Sequence, residues 1–370
     1  MARIVLDARK FDAGSGTGAG RYMSSLVQYL QSIDSANQYI ILMHEDNAQN
    51  WTPSSNNFSV VVTKYKEFTL GEQLGLAWQL YKLKADIVHF GMVQQPILYF
   101  KRSLCTIHDL TTVRFRNTNK SAIKFYLMLP AYWLVIQVAG RKSKLIITPT
   151  QYVKRDVAAF TRISEDKIVV TPESADEFKE TTQPSSELLG KTFLLYVGRP
   201  QPHKNLTSLI KAFGALKKKH PSLKLVLAGK KDILHEAHLE TAKKVGIAYE
   251  DIVFTGYVTD GQLRWLYQNC AAYVFPSLSE GFGLPGLEAM LHGAPVVSSN
   301  STCLPEVYGD AAEYFDPNNA LEMTKKIDLV ISDTDLRKKL IAKGYRRAKQ
   351  FSWHRMAEQT LRAYEEALGA

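Results

Sequence analysis

The sequence predicts an α/β protein made of two Rossmann-like domains. Short apolar runs alternate with segments of helical spacing along nearly the whole chain, the pattern of parallel strands joined by crossover helices. The length, 370 residues, exceeds one ordinary core and makes two domains the expectation. Glycine-rich turns stand between a strand and a helix at two places, residues 12–22 and 280–286. Such turns let backbone N–H groups approach a ligand at a helix N-terminus.

Ile4, Val5 and Leu6 read as a first buried strand. The turn after it holds four glycines, Gly14, Gly16, Gly18 and Gly20, within seven residues. Either this backbone approaches a ligand or it is a surface loop. The spacing matches G-x-G-x-x-G only loosely, and no acidic residue is placed for a dinucleotide. Met23, Leu26, Val27 and Leu30 then follow helical spacing. Residues 38–43 and 58–62 read as strands, with a polar loop at 46–57 between them. Residues 71–84 set Leu74, Ala77, Trp78 and Tyr81 on one helical face. Residues 86–90 form a buried strand ending near His89, which either lines a ligand face or is structural. A further strand, 104–110, carries His108 and Asp109 at its end. His108 is either a site residue or a buried histidine held by Asp109.

The most apolar stretch is 122–140, AIKFYLMLPAYWLVIQVAG. A spanning helix needs about 20 apolar residues, and Lys124, Pro130 and Gln137 argue against one here. It reads as a long helix, kinked or broken at Pro130 and packed on the first sheet. An interfacial contact with anionic lipid is the second reading, and the two are compatible. Strands at 145–148 and before Val170 complete a first domain, 1–170. The polar segment 171–190, with Pro172 and Pro184, reads as the linker to a second domain, 191–352.

That domain opens with a strand ending at Gly198 and Arg199, with Lys204 five residues on. A guanidinium fork and a point-charge ammonium suit a diphosphate; the plainer reading is a solvated basic loop. A strand and turn follow at 224–230, a further strand at 251–258, then a helix at 260–270. Residues 320–350 read as helical and charged, and Ser352-Trp353-His354 starts a final helix. Between these lies the stretch that organises the chain, Phe275 to Tyr308. It holds Glu280 and Glu288 with seven residues between them. Residues 271–275 read as a buried strand, and Pro285 suits the first turn of a helix carrying Leu287, Met290 and Leu291. In this strand–glycine loop–helix unit, unpaired N–H groups suit a phosphate or a sugar hydroxyl. Glu288, one turn into the helix, suits a vicinal diol such as a ribose. Glu280, in the loop, can face a transferred sugar. An ordinary strand–loop–helix with a capping glutamate is the alternative.

Together these segments resemble the retaining glycosyltransferases of family 4, and bacterial mannosyltransferases above all. The resemblance rests on the E-x7-E stretch with its continuation PVVSSNSTCLPEVYGDAAEYFDP, on G-x-G-x-G-R-Y at 16–22, on T-I-H-D-L at 106–110 and on G-R-x-x-x-x-K-N-L at 198–206. The segment from Ile146 to Lys154 departs from the family pattern in carrying Thr150 where serine is usual. The resemblance implies the GT-B fold, two Rossmann-like domains facing across a cleft, with helix 353–370 packed back on the first. It implies transfer of a hexose with retention, from a nucleotide diphosphate sugar to an acceptor hydroxyl, by a front-face path. GDP-mannose is favoured over UDP-sugars, and the acceptor is a glycolipid, a lipid-linked saccharide or a soluble saccharide.

By the same resemblance, Gly16, Gly18 and Gly20 pack over the donor and Arg21 touches phosphate or acceptor. His108 contacts the donor sugar near its 6-position. Gly198, Arg199 and Lys204 hold the diphosphate. The backbone of Tyr257 and Val258 meets the base. Glu280, with the N–H groups of Phe282, Gly283 and Leu284, holds sugar hydroxyls, and Glu288 holds the ribose. No metal or other cofactor is expected, since Arg199 and Lys204 supply charge where it develops on the leaving group.

Hydrophobic content of 45% with 22% charged residues fits a globular protein. Cys105, Cys270 and Cys303 lack metal-ligand spacing and read as reduced thiols, suggesting a cytoplasmic chain. A strand begins at once, so no signal peptide is expected. Residues 1–170 carry 21 Lys+Arg against 12 Asp+Glu, whereas the remainder carries 25 against 24. The basic half suits an anionic membrane surface on the inner face, a phosphorylated substrate or nucleic acid; dispersed surface lysines would serve no partner. A nucleic-acid binder is disfavoured because no DNA or RNA motif accompanies the charge. A non-catalytic nucleotide-sugar binder is disfavoured because Arg199, Lys204, Glu280 and Glu288 are all present.

Overall fold

The structure is a computed structural model describing residues 1–11, 18–116, 118, 121–230 and 234–369. Its strands form two sheets. The first contains β1 (Arg3–Asp7), β2 (Gln38–Met43), β3 (Phe58–Val62), β4 (Ile87–Phe90), β5 (Ser103–Thr106), β6 (Leu145–Thr148) and β7 (Ile168–Val170), in the order β3-β2-β1-β4-β5-β6-β7. The second contains β8 (Phe193–Val197), β9 (Lys224–Ala228), β10 (Ile252–Gly256), β11 (Ala272–Phe275), β12 (Val296–Ser299) and β13 (Ala312–Phe315), in the order β10-β9-β8-β11-β12-β13. All pairings between these strands are parallel. Ile4, Val5, Leu6, Leu194 and Leu195 are fully buried, the near-continuous apolar reading expected of central strands covered on both faces.

The helices of the first half are α1 (Gly18–Ile33), α2 (Glu45–Gln49), α3 (Ala77–Lys82), α4 (Thr111–Arg114), α5 (Ala122–Lys142) and α6 (Gln151–Thr161). Those of the second are α7 (Leu206–Lys217), α8 (His235–Lys244), α9 (Asp260–Asn269), α10 (Leu284–Leu291), α11 (Leu304–Tyr308), α12 (Ala320–Ser332), α13 (Thr334–Ala348) and α14 (Trp353–Leu368). Side chains fix several starts. Thr150 caps α6 through Val153 N–H, and Ser352 caps α14 through Arg355 N–H. Thr259 and Gln262 form a reciprocal capping box on α9. Asp333 accepts from Asp335 and Leu336 N–H groups, which splits the helical stretch 320–350 into α12 and α13.

Contacts along the backbone divide the chain into two compact units. One comprises Met1–Val113, Met128–Glu173 and Ser352–Ala370; the other comprises Arg114–Leu127 and Ser174–Phe351. Helix α14 packs on α1 and on the first sheet. In each sheet the strand order reverses once, between β1 and β4 and between β8 and β11. Ligands of open α/β sheets collect at the carboxyl ends of strands beside such a reversal.

Three local expectations are corrected. Helix α1 begins at Gly18, earlier than its apolar spacing suggested, so Gly18, Gly20 and Arg21 lie in its first turn. The segment 71–84 opens with a π-helical turn, Glu72–Leu76, before α3. The wider turn takes Leu74 and Trp78 off the packed face: both are exposed, while Leu76, Ala77 and Leu80 are buried. Helix α5 runs through Pro130 without a break. Tyr132, Ile136 and Ala139 are buried, but Ile123, Tyr126, Leu127, Trp133 and Leu134 are exposed, with Leu127 at 76%. Pro130 is itself on the exposed side, where water can serve the carbonyl that loses its N–H partner. The helix therefore packs by one stripe and leaves an apolar stripe uncovered. Among the described residues it alone is long and apolar enough to cross a membrane.

Candidate active site

In the second unit the loops after β8 and β11 meet at the sheet's reversal. β8 is followed at once by Gly198, whose φ of 145° lies in the left-handed region. Arg199 follows with an exposed side chain. A short 3-10 turn, Pro202–Lys204, leads to Asn205. The Asn205 amide donates to Pro276 O at 3.2 Å and to Pro317 O at 2.9 Å, and Leu278 N–H donates to His203 O at 2.7 Å. These bonds lock the β8 loop against the β11 loop. They bring the Lys204 ammonium to 2.6 Å from Glu280 Oε1, with side-chain exposures of 19% and 12%. The cation and the carboxylate singled out in the sequence thus form one ion pair. Thr302 Oγ1 accepts from Glu280 N–H at 3.1 Å and helps to fix the loop.

The glycine loop has a packing reason that spacing alone did not reveal. The Tyr308 hydroxyl donates to Gly283 O at 2.6 Å, and Tyr308 is fully buried. A Cβ on Gly283 would lie 2.5 Å from the Tyr308 oxygen, and one on Gly286 would overlap the same ring. Gly283 also holds φ at 94°, as the N-cap of α10. The N–H groups of Phe282, Gly283 and Leu284 stand at that helix start, where intrahelical partners are lacking. The Phe282 ring is buried and meets Phe351 edge-on. Glu288 is buried at 3% exposure, and Tyr267 donates to its Oε2 at 3.3 Å. Phe178 stacks on His292, one turn beyond, with ring centres 4.6 Å apart. Glu288 therefore lies beneath packed side chains rather than lining an open surface. Tyr257 is exposed and Val258 half-buried after β10.

In the first unit, His108 stands just beyond β5. Its Nδ1 lies 2.8 Å from Glu173 Oε1, beyond β7, and its Nε2 lies 3.2 Å from Gly91 O, beyond β4. Burial disfavours the imidazolium, but the hydrogen bond and charge of Glu173 outweigh it, so the His108 pKa is raised. Tyr22 of α1 meets the His108 ring edge-on at 4.8 Å. Asp109, the alternative holder of His108, instead accepts from Thr111 N–H. His89 proves structural: it is fully buried between the Tyr364 hydroxyl at 2.7 Å and Thr106 Oγ1 at 2.8 Å, tying α14 to the sheet. Arg21 is half-buried in α1. Gly16 lies outside the described residues.

Glu173 and Tyr308 were not singled out by sequence. Glu173 sits in a polar stretch that reads as linker, and no local spacing announces a partner 65 residues away. Tyr308 falls within the organising stretch, but its pairing with two glycines is purely tertiary.

Both the sequence and the fold have relatives among known proteins. The family profile for glycosyl transferases group 1 matches residues 177–347. The O-antigen chain mannosyltransferase B of Escherichia coli is 34% identical over 306 residues, covering 78% of this chain and 76% of its own. The chain belongs to the group 1 glycosyltransferases. This group 1 glycosyltransferase is also 28% identical, over 72% of its length, to the serotype-specific mannosyltransferase WbdA of Escherichia coli, of which the match spans 34%. Its fold matches sucrose-phosphate synthase of Thermosynechococcus elongatus, with a TM-score of 0.76, 17% identity and full coverage of both chains. The two parallel-sheet α/β domains are those of the GT-B fold.

Proposed function

We propose that this glycosyltransferase moves mannose from GDP-mannose, with retention of configuration, to a hydroxyl of a saccharide or glycolipid acceptor. The observation that carries the reading is the Lys204–Glu280 pair at the reversal of the second sheet. A bound donor would separate them, Lys204 turning to diphosphate oxygens and Glu280 to sugar hydroxyls. Arg199, exposed beside Gly198, adds a guanidinium to the leaving group as the C1–O bond stretches. With that charge supplied by side chains, the reaction needs no metal. By the family resemblance Glu280 meets the sugar hydroxyls rather than the underside of the anomeric carbon, which favours a front-face path over a double displacement.

The remaining roles follow the family resemblance. Phe282, Gly283 and Leu284 offer N–H groups to the sugar, and Tyr257 and Val258 offer backbone to the base. Glu288 receives the ribose once its Tyr267 contact is released. Gly16, Gly18 and Gly20 cover the donor, Arg21 takes phosphate or acceptor, and His108 takes a sugar oxygen. Mannose is supported by the names of the two relatives. The uncovered apolar stripe of α5, beside the basic composition of the first half, supports work at an anionic inner membrane face.

The test is nucleotide release and sugar transfer with GDP-mannose and UDP-glucose on mannose-terminated acceptors, with the product anomer read by NMR. The reading expects α-mannoside formed from GDP-mannose, undiminished by a chelator. Transfer from UDP-glucose alone, an inverted product or loss of activity with chelator would each remove the corresponding part.

A further inference from the structure

Three well-packed histidines carry different hydrogen-bond partners, and the partners fix their charge. His292 Nδ1 lies 2.7 Å from Glu288 O, while its Nε2 accepts Phe178 N–H at 3.1 Å. One donor and one acceptor define a neutral ring, and burial holds its pKa down at about 4. His89 faces two hydroxyls, which rotate to suit a neutral ring. His108 faces only acceptors: a carboxylate at Nδ1 and a backbone carbonyl at Nε2. A neutral imidazole has a single N–H, so it would turn one lone pair towards an oxygen lone pair. Only the imidazolium satisfies both contacts.

The charged surroundings agree. Glu173 comes from the segment after β7 and Asp109 from the loop of His108 itself, and both favour the cation. His89 on β4 is held neutral by burial, and Tyr22 on α1 presents only a ring edge.

We propose that Glu173 is a positioning residue that favours the doubly protonated form of His108, so that Nε2–H is a charged donor to an oxygen of the saccharide substrate. The substrate half of this statement rests on the transferase reading; the charge half does not. Nε2–H is already directed at the Gly91 carbonyl, and a sugar hydroxyl or phosphate oxygen would share or replace that acceptor. A charged donor binds such an oxygen more strongly than a neutral N–H does. Above the His108 pKa, the proton on one nitrogen is lost and with it one of the two contacts.

The test is an NMR titration of the full chain with 15N-labelled histidine, the His108 signals being assigned by their loss in His108→Gln. The expected result is that both His108 nitrogens are protonated in most molecules at pH 6.5, where an ordinary imidazole is half ionised. The His108 midpoint should lie above the ordinary value of 6.5 and fall in Glu173→Gln. A wild-type midpoint at or below 6.5 overturns the proposal and does not depend on the variant folding. An unchanged midpoint in Glu173→Gln overturns it as well. With transfer established, the alkaline limb of kcat against pH should move down with the NMR midpoint in Glu173→Gln. A limb that stays in place overturns the positioning role. If wild-type chain transfers no sugar, the transferase reading fails while the titration still decides the charge.

Discussion

Replacing Gly286 with alanine asks whether the glycine loop is shaped by packing or by ligand approach. A Cβ at 286 overlaps both the hydroxyl and the adjoining ring carbon of Tyr308, so the ring must move as a body. Tyr308 is fully buried, and its hydroxyl is held at 2.6 Å by Gly283 O. Overpacking a dense site costs about 1–3 kcal/mol, and loss of the hydrogen bond adds about 1 kcal/mol. For a unit of this size each kcal/mol shifts Tm by about 2–4 °C, so a fall of about 5–15 °C is expected in scanning calorimetry. Tyr308→Phe removes the hydroxyl but keeps the ring. The double variant should lose less than the two single losses combined, because the missing oxygen relieves part of the overlap. A Gly286→Ala protein with unchanged Tm but lost nucleotide-sugar affinity would refute the packing argument and return the glycine to the ligand.

Other expectations follow from the same geometry. Lys204→Met removes a charge-assisted contact of about 1.5–3 kcal/mol, so nucleoside diphosphate affinity measured by calorimetry should fall about 10- to 100-fold. His108 has a raised pKa, so the stability from its Glu173 contact is fully present below 6.5 and is lost as pH rises through the raised value. The Tm advantage of wild type over His108→Gln should therefore shrink on the alkaline side. His292 has the opposite sign: its depressed pKa favours the folded state above 6.5, a benefit lost as pH falls towards about 4. Acid unfolding of wild type should accordingly take up a proton that His292→Gln does not. Leu127→Glu with Trp133→Glu, both on the uncovered stripe of α5, should abolish co-sedimentation with anionic vesicles while leaving Tm within about 2 °C of wild type, as surface changes normally do. Unchanged sedimentation would remove the membrane proposal.

The parts legible in sequence were those set by local pattern. Apolar runs such as Ile4-Val5-Leu6 announce buried parallel strands whatever they pair with, and Pro285 announces the start of α10. Lys204 and Glu280 were legible as chemistry, but their contact was not. It depends on β8 lying beside β11 and on the Asn205 amide bridging two loops. Burial proved least legible. Residues 122–140 are apolar on every side, so composition could not say which stripe packs, and the structure leaves Leu127 and Trp133 outside. Glu288 reads as a diol partner, and no local pattern announces that it is buried with Tyr267 donating to it. The π-helical turn at Glu72–Leu76 inserts a wider turn that a fixed helical period cannot anticipate.

Whether this group 1 glycosyltransferase takes GDP-mannose through Lys204 and Glu280, as proposed above, is decided by calorimetric titration. GDP-mannose and UDP-glucose would be titrated into wild type, Lys204→Met and Glu280→Gln. Binding of GDP-mannose in preference to UDP-glucose is expected. Lys204→Met should weaken GDP-mannose and GDP alike, whereas Glu280→Gln should weaken GDP-mannose but spare GDP. Equal binding of all ligands by the three proteins, or tighter binding of UDP-glucose, would contradict the proposal.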